Sequence, residues 1–319
     1  MTEVRLSYFN FEHGGRPGGN YTGDAEGPCD YTGLVRVMRD DWPDILVLGE
    51  GVRYELLGRK GAWGAAAAMR DARGPSYIPH CCSLPRDGMF APVIFTNPDT
   101  IVVRQFYDHR LPDFDARNRN LLEFTLPDRD EPLMRVIAWH GDIHSPTMRL
   151  EDARTFDRFA DPAIPCAILA DWNAVPSGPH FEPADLNTPG VHGPRQLAWR
   201  VLFQHGLAQA GPHRYDSRAL DYLIGYWHAP RDRRRAWLRR LPGRRVGGVG
   251  FHHAAELAGD FTPTQIERPN GRQPIALDAI LLNDPMAKAM VPDSYRVHPF
   301  PDPDRPDSDH HRVSLTVDL

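Results

Sequence analysis

Carboxylates, amides and histidines recur at the ends of apolar runs in this 319-residue chain. The stretch "LSYFNFE" carries Asn10 and Glu12 at i, i+2, which puts both on one face of a strand. "DILVLGE" closes on Glu50, "RVIAWH" on His140, and "AILADWN" sets Asp171 and Asn173 two residues apart. "SDHHRVSLTVDL" places Asp309 and His310 at the lip of the final apolar run, with His311 one residue further and so facing the other way, in a structural role. Asp278 is of another kind, because it sits inside "IALDAILL", flanked by Ile275, Ala276, Leu277, Ala279, Ile280 and Leu281. A buried carboxylate needs a partner, and either a histidine or backbone amides would serve. Asp221 in "ALDYLIGYWH" offers a similar setting and stands as the alternative to Asp278.

The elements that must hold these residues can be read from the pattern. Strand-like runs lie at 4–11, 44–50, 121–126, 133–140, 166–171, 275–283 and 312–319, and 91–106 reads as a hairpin turning at Asn97-Pro98-Asp99. Helical spacing occupies 31–41, 62–71, 149–160 and 194–206. Residues 177–194, 228–250 and 284–308 are rich in Pro, Gly and charge and read as loops, the first two as insertions. Many strands with interspersed helices argue for an α/β sandwich rather than a doubly wound sheet. No linker divides the series, so one domain over 1–319 is expected.

In order, "SYFNFE", "DILVLGE", "VIAWH", "ILADWNAVPSG", "LDAILLN" and "SDHHRVSLTV" resemble the motifs of the exonuclease–endonuclease–phosphatase family, which includes deoxyribonucleases, abasic-site endonucleases, inositol-phosphate phosphatases and sphingomyelinases. The resemblance runs from about residue 4 to the C-terminus, and six short patterns in the right order are more specific than any one of them. It implies a single α/β domain, two packed sheets flanked by helices in four layers, α/β/β/α. It also implies a divalent-metal-dependent phosphoester hydrolase, of the phosphodiesterase or nuclease kind, in which water attacks phosphorus in line. Glu50 resembles the metal-binding glutamate, with Asn10, Glu12 and Asp309 around the same ion. Asp171 resembles the carboxylate that orients or activates water, and Asn173 the amide that donates to phosphoryl oxygens. His310 resembles the histidine paired with a buried aspartate, here Asp278, and His140 the second histidine on the phosphate. Two departures stand out: Gly49 where the family usually has Gln, and Ala170-Asp171-Trp172-Asn173 for the usual Gly-Asp-Phe-Asn. Tyr107 and Arg104 are candidates for a further group over the phosphate.

Elementary electrostatics points the same way. If the strands converge, Glu12, Glu50, Asp171, Asp278 and Asp309 share a cleft, and like charges about 4 Å apart repel by about 4 kcal/mol at an effective dielectric near 20. Such a cluster wants a cation, and oxygen ligands favour Mg²⁺ or Mn²⁺ over zinc. A His–Asp pair adds acid–base capacity.

Asp142 and His144 in "WHGDIHS" resemble the first motif of calcineurin-like metallophosphoesterases, but the downstream motifs of that family are missing and "GFHH" at 250–253 is a poor substitute. A catalytically inactive member that binds nucleic acid or protein is the non-enzymatic alternative. His13, His252 and His253 show no partner pattern and read as loop residues. The segment 231–245 carries eight Arg and Trp237, so it can track the phosphates of DNA or RNA. It can equally be a solvated face, because Lys60 and Lys288 are the only lysines among 37 basic residues and the bias toward Arg is global. A net charge of −5 does not by itself indicate a nucleic-acid binder. No apolar run approaches the roughly 18 residues of a membrane helix. The N-terminus lacks a signal pattern, and Cys29, Cys81, Cys82 and Cys166 lack metal-ligand spacing. A reduced, cytoplasmic monomer acting on a phosphoester substrate is the expectation.

Overall fold

The computed structural model describes residues 2–16, 28–39, 41–81, 92–108, 120–129, 131–181, 215–229, 243–266, 274–300, 302 and 306–319. Its first half contains β1 (Glu3–Asn10), α1 (Thr32–Met38), β2 (Ile45–Gly49), α2 (Lys60–Asp71), β3 (Ile78–Cys81), β4 (Val93–Thr96), β5 (Val102–Tyr107), β6 (Leu121–Thr125) and β7 (Met134–His140). The second half contains α3 (Pro146–Arg154), β8 (Cys166–Asp171), α4 (Arg218–Ile224), β9 (Tyr226–His228), β10 (Arg244–Val246), β11 (Phe251–His253), α5 (Ala254–Ala258), β12 (Asp278–Asn283), α6 (Asp284–Ala289), β13 (Arg296–His298) and β14 (Arg312–Asp318).

Side-chain alternation sorts these strands into layers. Val4, Leu6 and Tyr8 of β1 and Ile45 and Val47 of β2 face a central core, where they meet Val136 and Ala138 of β7, Ala167 and Leu169 of β8, and Ile280 and Leu282 of β12. The alternate residues face outward. Phe9, Leu46 and Leu48 pack under α1 and α2 through Leu34, Met38, Ala62, Ala65 and Met69. Ile137, Ile168, Ala170 and Leu281 pack under α3 and α4 through Ala153, Leu220 and Leu223. Strands covered on both faces need apolar residues throughout, which is why "ILVL" and "CAILA" show no polar alternation. The result is two mixed sheets flanked by helices, the four-layer α/β/β/α arrangement expected from the sequence.

One six-stranded sheet runs β13-β14-β1-β2-β4-β3 and the other β11-β12-β8-β7-β6-β5; β9 and β10 form a separate ribbon. Each large sheet has one parallel pair, at its centre: β1 with β2, and β7 with β8. All other described pairings are antiparallel. β14 pairs with β1 along its length, so the final run is an interior strand of the first sheet. Among the described residues no helix is long and apolar enough to cross a membrane.

Several expectations need correction. The run 91–106 is not a hairpin: β4 pairs with β2 and β3 in the first sheet, whereas β5 pairs with β6 in the second. The turn itself is present, with the Asn97 side chain accepting from Asp99 N (3.1 Å), but it carries the chain from one sheet to the other. Local turn chemistry cannot tell the two outcomes apart, since both need only a reversal. The stretch 284–308 holds α6 and β13, and 228–250 holds β10. The α3 region starts earlier than expected, at Pro146, because Ser145 caps it by accepting from Met148 N (3.2 Å). The expected helix 194–206 and Cys82 lie outside the described residues, as does most of 231–245.

Asn283, fully buried at the end of β12, ties the second sheet to its connections. Its Oδ1 accepts from Cys166 N (2.9 Å) and its Nδ2 donates to carbonyls of Phe159, Asp161 and Ile164. Buried polar groups left unpaired cost about 1–3 kcal/mol each. Asn283→Ala is therefore expected to lower unfolding stability by about 3 kcal/mol or more in urea titration, with an unchanged denaturant slope.

Candidate functional site

Register alone brings the polar strand ends together. Asn10 lies opposite Gly49 at the ends of β1 and β2, His140 lies opposite Asp171 at the ends of β7 and β8, and Asp171 lies opposite Asp278 at the start of β12. Each continues the inward-facing series of its strand: Asn10 follows Val4, Leu6 and Tyr8, and Asp171 follows Ala167 and Leu169. At their carboxyl ends the two central parallel pairs therefore point polar groups at one another across the sheet interface. Asn10 Nδ2 closes the gap, donating to Asp171 Oδ2 (3.1 Å) and Glu50 Oε1 (3.3 Å).

A buried pair stands beside this junction. His310 Nδ1 is 2.8 Å from Asp278 Oδ2, and its Nε2 lies 3.9 Å from Asp171 and 3.8 Å from Asp309. Burial works against charge on the imidazole, but Asp278, Asp309 and Asp171 outweigh it and push the His310 pKa up to about 10. Burial raises Asp278 to about 6, with His310 pulling it down, so at neutral pH the two form an ion pair. Ser308 fastens the segment before His310 to β1, its hydroxyl donating to Asn10 O (2.6 Å) and accepting from Glu12 N (3.2 Å).

Glu50 and Asn173 share a backbone feature. Both adopt the left-handed region, with φ 54° and 47°, which is uncommon outside glycine and clusters at functional sites. The Asn173 turn is supported by Asp171 Oδ1, which accepts from Asn173 N (2.8 Å). Asn173 Nδ2 then reaches Gly141 O (3.1 Å) and His140 Nε2 (3.4 Å). Gly141 is required there, since a Cβ would come within 2.3 Å of Trp172 O. Burial raises the Glu50 pKa, while the His140 charge and the bond from His13 N (3.0 Å) to Glu50 Oε2 favour its carboxylate.

The structure thus gathers Asn10, Glu50, His140, Asp171, Asn173, Asp278, Asp309 and His310. Glu12 departs from expectation. β1 ends at Asn10, Glu12 enters a 3-10 turn, and its carboxylate meets His13 Nε2 (3.6 Å) instead of continuing the strand face. Asp221 is not the histidine's partner: it accepts from Ser177 N and Oγ and meets Arg245. Asp142 Oδ1 accepts from His144 N and Ser145 N, a cap for the turn into α3. Tyr107 donates to Glu123 and Arg104 to Thr125. The histidines thought to lack partners have them: His13 lies against Glu50, His252 against Asp284 (2.6 Å), and buried His253 accepts from Ala255 N to cap α5. His311 packs on the Phe300 ring, 5.0 Å between centroids.

Thr264 and Gln265 were not foreseen. Thr264 Oγ1 accepts from Leu277 N and Asp278 N, holding the start of β12. The Gln265 carboxamide lies 3.1 Å from His310 Nε2, and its Oε1 has no other partner among the described residues. An imidazolium N–H facing an amide NH₂ would set donor against donor, so the network is satisfied with the carboxamide turned to accept from His310. The only available signal was the need of a buried aspartate for donors, which names no particular residue.

The donors fit a hard cation. Asn10 Oδ1 and Asp278 Oδ1 are buried acceptors with no partner among the described residues, and Asn10 Oδ1 belongs to the side chain that bridges two carboxylates. Ligand atoms of Asp171, Asp278 and His310 also lie within 4.8 Å of one another. His310, however, is committed to Asp278 and charged, and an imidazolium cannot ligate. Asn10 and Glu50, oxygen donors with Asp171 beside them, are the set suited to Mg²⁺ or Mn²⁺.

The sequence matches no protein-family profile and no curated protein. Solved structures do match over the whole chain. The 3'-5' exonuclease NExo from Neisseria meningitidis aligns with a TM-score of 0.53 at 15% identity, covering 99% of this chain and 100% of that one. An endonuclease/exonuclease/phosphatase family protein from Bacteroides thetaiotaomicron aligns at 0.54 and 14%, covering 100% and 96%. D. rerio TDP2 complexed with single-strand DNA product aligns at 0.50 and 15%, covering 100% of both. The chain has the exonuclease–endonuclease–phosphatase fold. Within that fold, the gathered side chains occupy the carboxyl ends of the two central parallel pairs, the place where open α/β sheets bind ligands.

The Asp278–His310 pair gives a direct check. Because the aspartate's charge holds the imidazole pKa up, Asp278→Asn leaves burial dominant and should move the His310 pKa down by several units. Imidazole NMR titration of the metal-free protein reads this, and an unmoved His310 would refute the pairing.

Proposed function

We propose that this chain is a divalent-cation-dependent phosphodiesterase, one catalytic unit over 1–319, whose substrate class is a polynucleotide. The observation that carries the reading is the meeting of Asn10 and Glu50 with Asp171 across the sheet interface, beside the buried Asp278–His310 pair. Asn10 and Glu50 would hold Mg²⁺ or Mn²⁺, with Asp309 and Glu12 nearby. A cation bound there would stabilise charge on a phosphoryl oxygen and on the leaving oxygen.

The chain's own groups supply the rest. Asp171, held by Asn10 and by Asn173 N, is the carboxylate that orients a water and takes its proton as the new O–P bond forms. Asn173 Nδ2 and His140 Nε2, in contact at 3.4 Å, are the groups assigned to phosphoryl oxygens, the amide donating to an oxygen that displaces its contact with the imidazole. His310, fixed in orientation by Asp278, stabilises the charge that builds on phosphorus's oxygens; the ester P–O bond breaks, the departing oxygen takes up a proton from solvent, and Asp171 releases the proton it took to solvent. DNA is the favoured polynucleotide because a NExo structure holds a product DNA hairpin and the D. rerio TDP2 structure a single-strand DNA product. The Arg-rich stretch 231–245 is the candidate phosphate track, and the chain would act as a cytoplasmic monomer.

The test is hydrolysis of plasmid and single-stranded DNA with and without Mg²⁺. Activity should vanish on chelation, and Asp171→Ala and His310→Ala should each lower kcat by about 100-fold or more at preserved thermal midpoint. Chelator-resistant hydrolysis, or either variant near wild-type rate, would overturn the reading.

A further inference from the structure

Gly49 is where the sequence departs from the exonuclease–endonuclease–phosphatase pattern, and the structure shows what stands in its place. A Cβ at position 49 would lie 2.4 Å from the Tyr8 hydroxyl, 3.0 Å from its Cζ and 3.2 Å from Asn10 Cα. A side chain at 49 would therefore have to displace the Tyr8 hydroxyl. The register explains why: Asn10 is opposite Gly49 and Tyr8 is opposite Val47, so from the inward face of β1 the tyrosine reaches diagonally along β2 to the position left bare. Its hydroxyl ends at the bare position 49, which lies against the Asn10 backbone and immediately precedes Glu50, the two residues assigned to the cation.

The Tyr8 hydroxyl does not earn its place through stability. Tyr8 is fully buried; the Asp171 backbone N–H lies against its hydroxyl oxygen, but its own O–H has no acceptor among the described residues. A buried O–H without an acceptor destabilises the fold relative to Phe, which would fill the same space. A neutral O–H among carboxylates is suited to donating to a carboxylate oxygen once those side chains turn toward a cation.

Resting on the functional reading above, we propose that Tyr8 is a positioning residue of the cleft floor. Its hydroxyl, delivered from β1, replaces the polar side chain that position 49 of β2 lacks and orients Asn10 and Glu50 for the cation. It acts through these neighbours, because it is occluded from solvent and from substrate.

Tyr8→Phe separates this role from packing. The metal-free thermal midpoint should be equal to or above wild type, whereas the Mg²⁺ concentration giving half of the Mg²⁺-induced midpoint shift should rise about tenfold, with kcat on plasmid DNA falling about tenfold and KM changing less than about threefold. Gly49→Gln alone should unfold or lose the Mg²⁺ response through the clash with Tyr8, and Tyr8→Thr combined with Gly49→Gln should recover the response to within about threefold of wild type. A Tyr8→Phe variant with wild-type Mg²⁺ response and kcat would overturn this proposal alone, as would a lowered metal-free midpoint accompanied by an unchanged response. Absence of both Mg²⁺ response and hydrolysis in the wild-type protein would overturn the functional reading and this inference with it.

Discussion

Carboxylates from two sheets share one poorly hydrated cleft. Asp171 and Asp278 are almost wholly buried at adjacent positions of neighbouring strands, and Asp309 is close enough to Glu50 for its charge to raise the proton affinity of Glu50. At separations near 4 Å each such pair costs about 4 kcal/mol at an effective dielectric near 20, comparable with much of a domain's net stability. Part of the repulsion is offset within the chain: the His310 imidazolium answers Asp278, Asn10 donates to both Asp171 and Glu50, and backbone N–H groups serve Glu50 and Asp171. The remaining unpartnered acceptors are the part that a divalent cation would satisfy.

What makes this concentration of charge possible is the regularity of the scaffold around it. Apolar residues fill both faces of β2, β8 and β12 and the inward faces of β1 and β7, so the polar residues that extend the inward series have fixed directions. The strain follows the chemistry: Glu50 and Asn173 leave their strands through left-handed backbone, and both lie within hydrogen-bond reach of the Asp171–Asn10 junction. Ser308 and Thr264 then lock the His310 and Asp278 segments to β1 and β12.

Much of this was legible in the residues. Continuous apolar runs ending on polar side chains located β2, β7 and β8 nearly to the residue; Asp278 inside its apolar run gave a buried carboxylate in need of a partner, and the family resemblance gave His310 as that partner. The failures have physical causes. The i, i+2 argument for Glu12 assumed a strand that ends two residues earlier. The Asn97 turn fixes a reversal of direction but not which sheet the next strand joins, so β4 and β5 were wrongly paired. Thr264 and Gln265 lie in a segment whose pairing with His310 is a single bridge, invisible to periodicity. Gly49 could be read only as a loss, because the compensating Tyr8 sits on another strand and looks like core.

The central claim is that two facing parallel pairs build one oxygen-lined cation site on Asn10 and Glu50, with Asp171 beside it. Anomalous diffraction from crystals soaked in Mn²⁺ tests it most directly. The account predicts a manganese peak bound by Asn10 Oδ1 and the Glu50 carboxylate, with the Asp278–His310 pair left intact. No peak in this cleft, or one centred on Asp142 and His144, would contradict it.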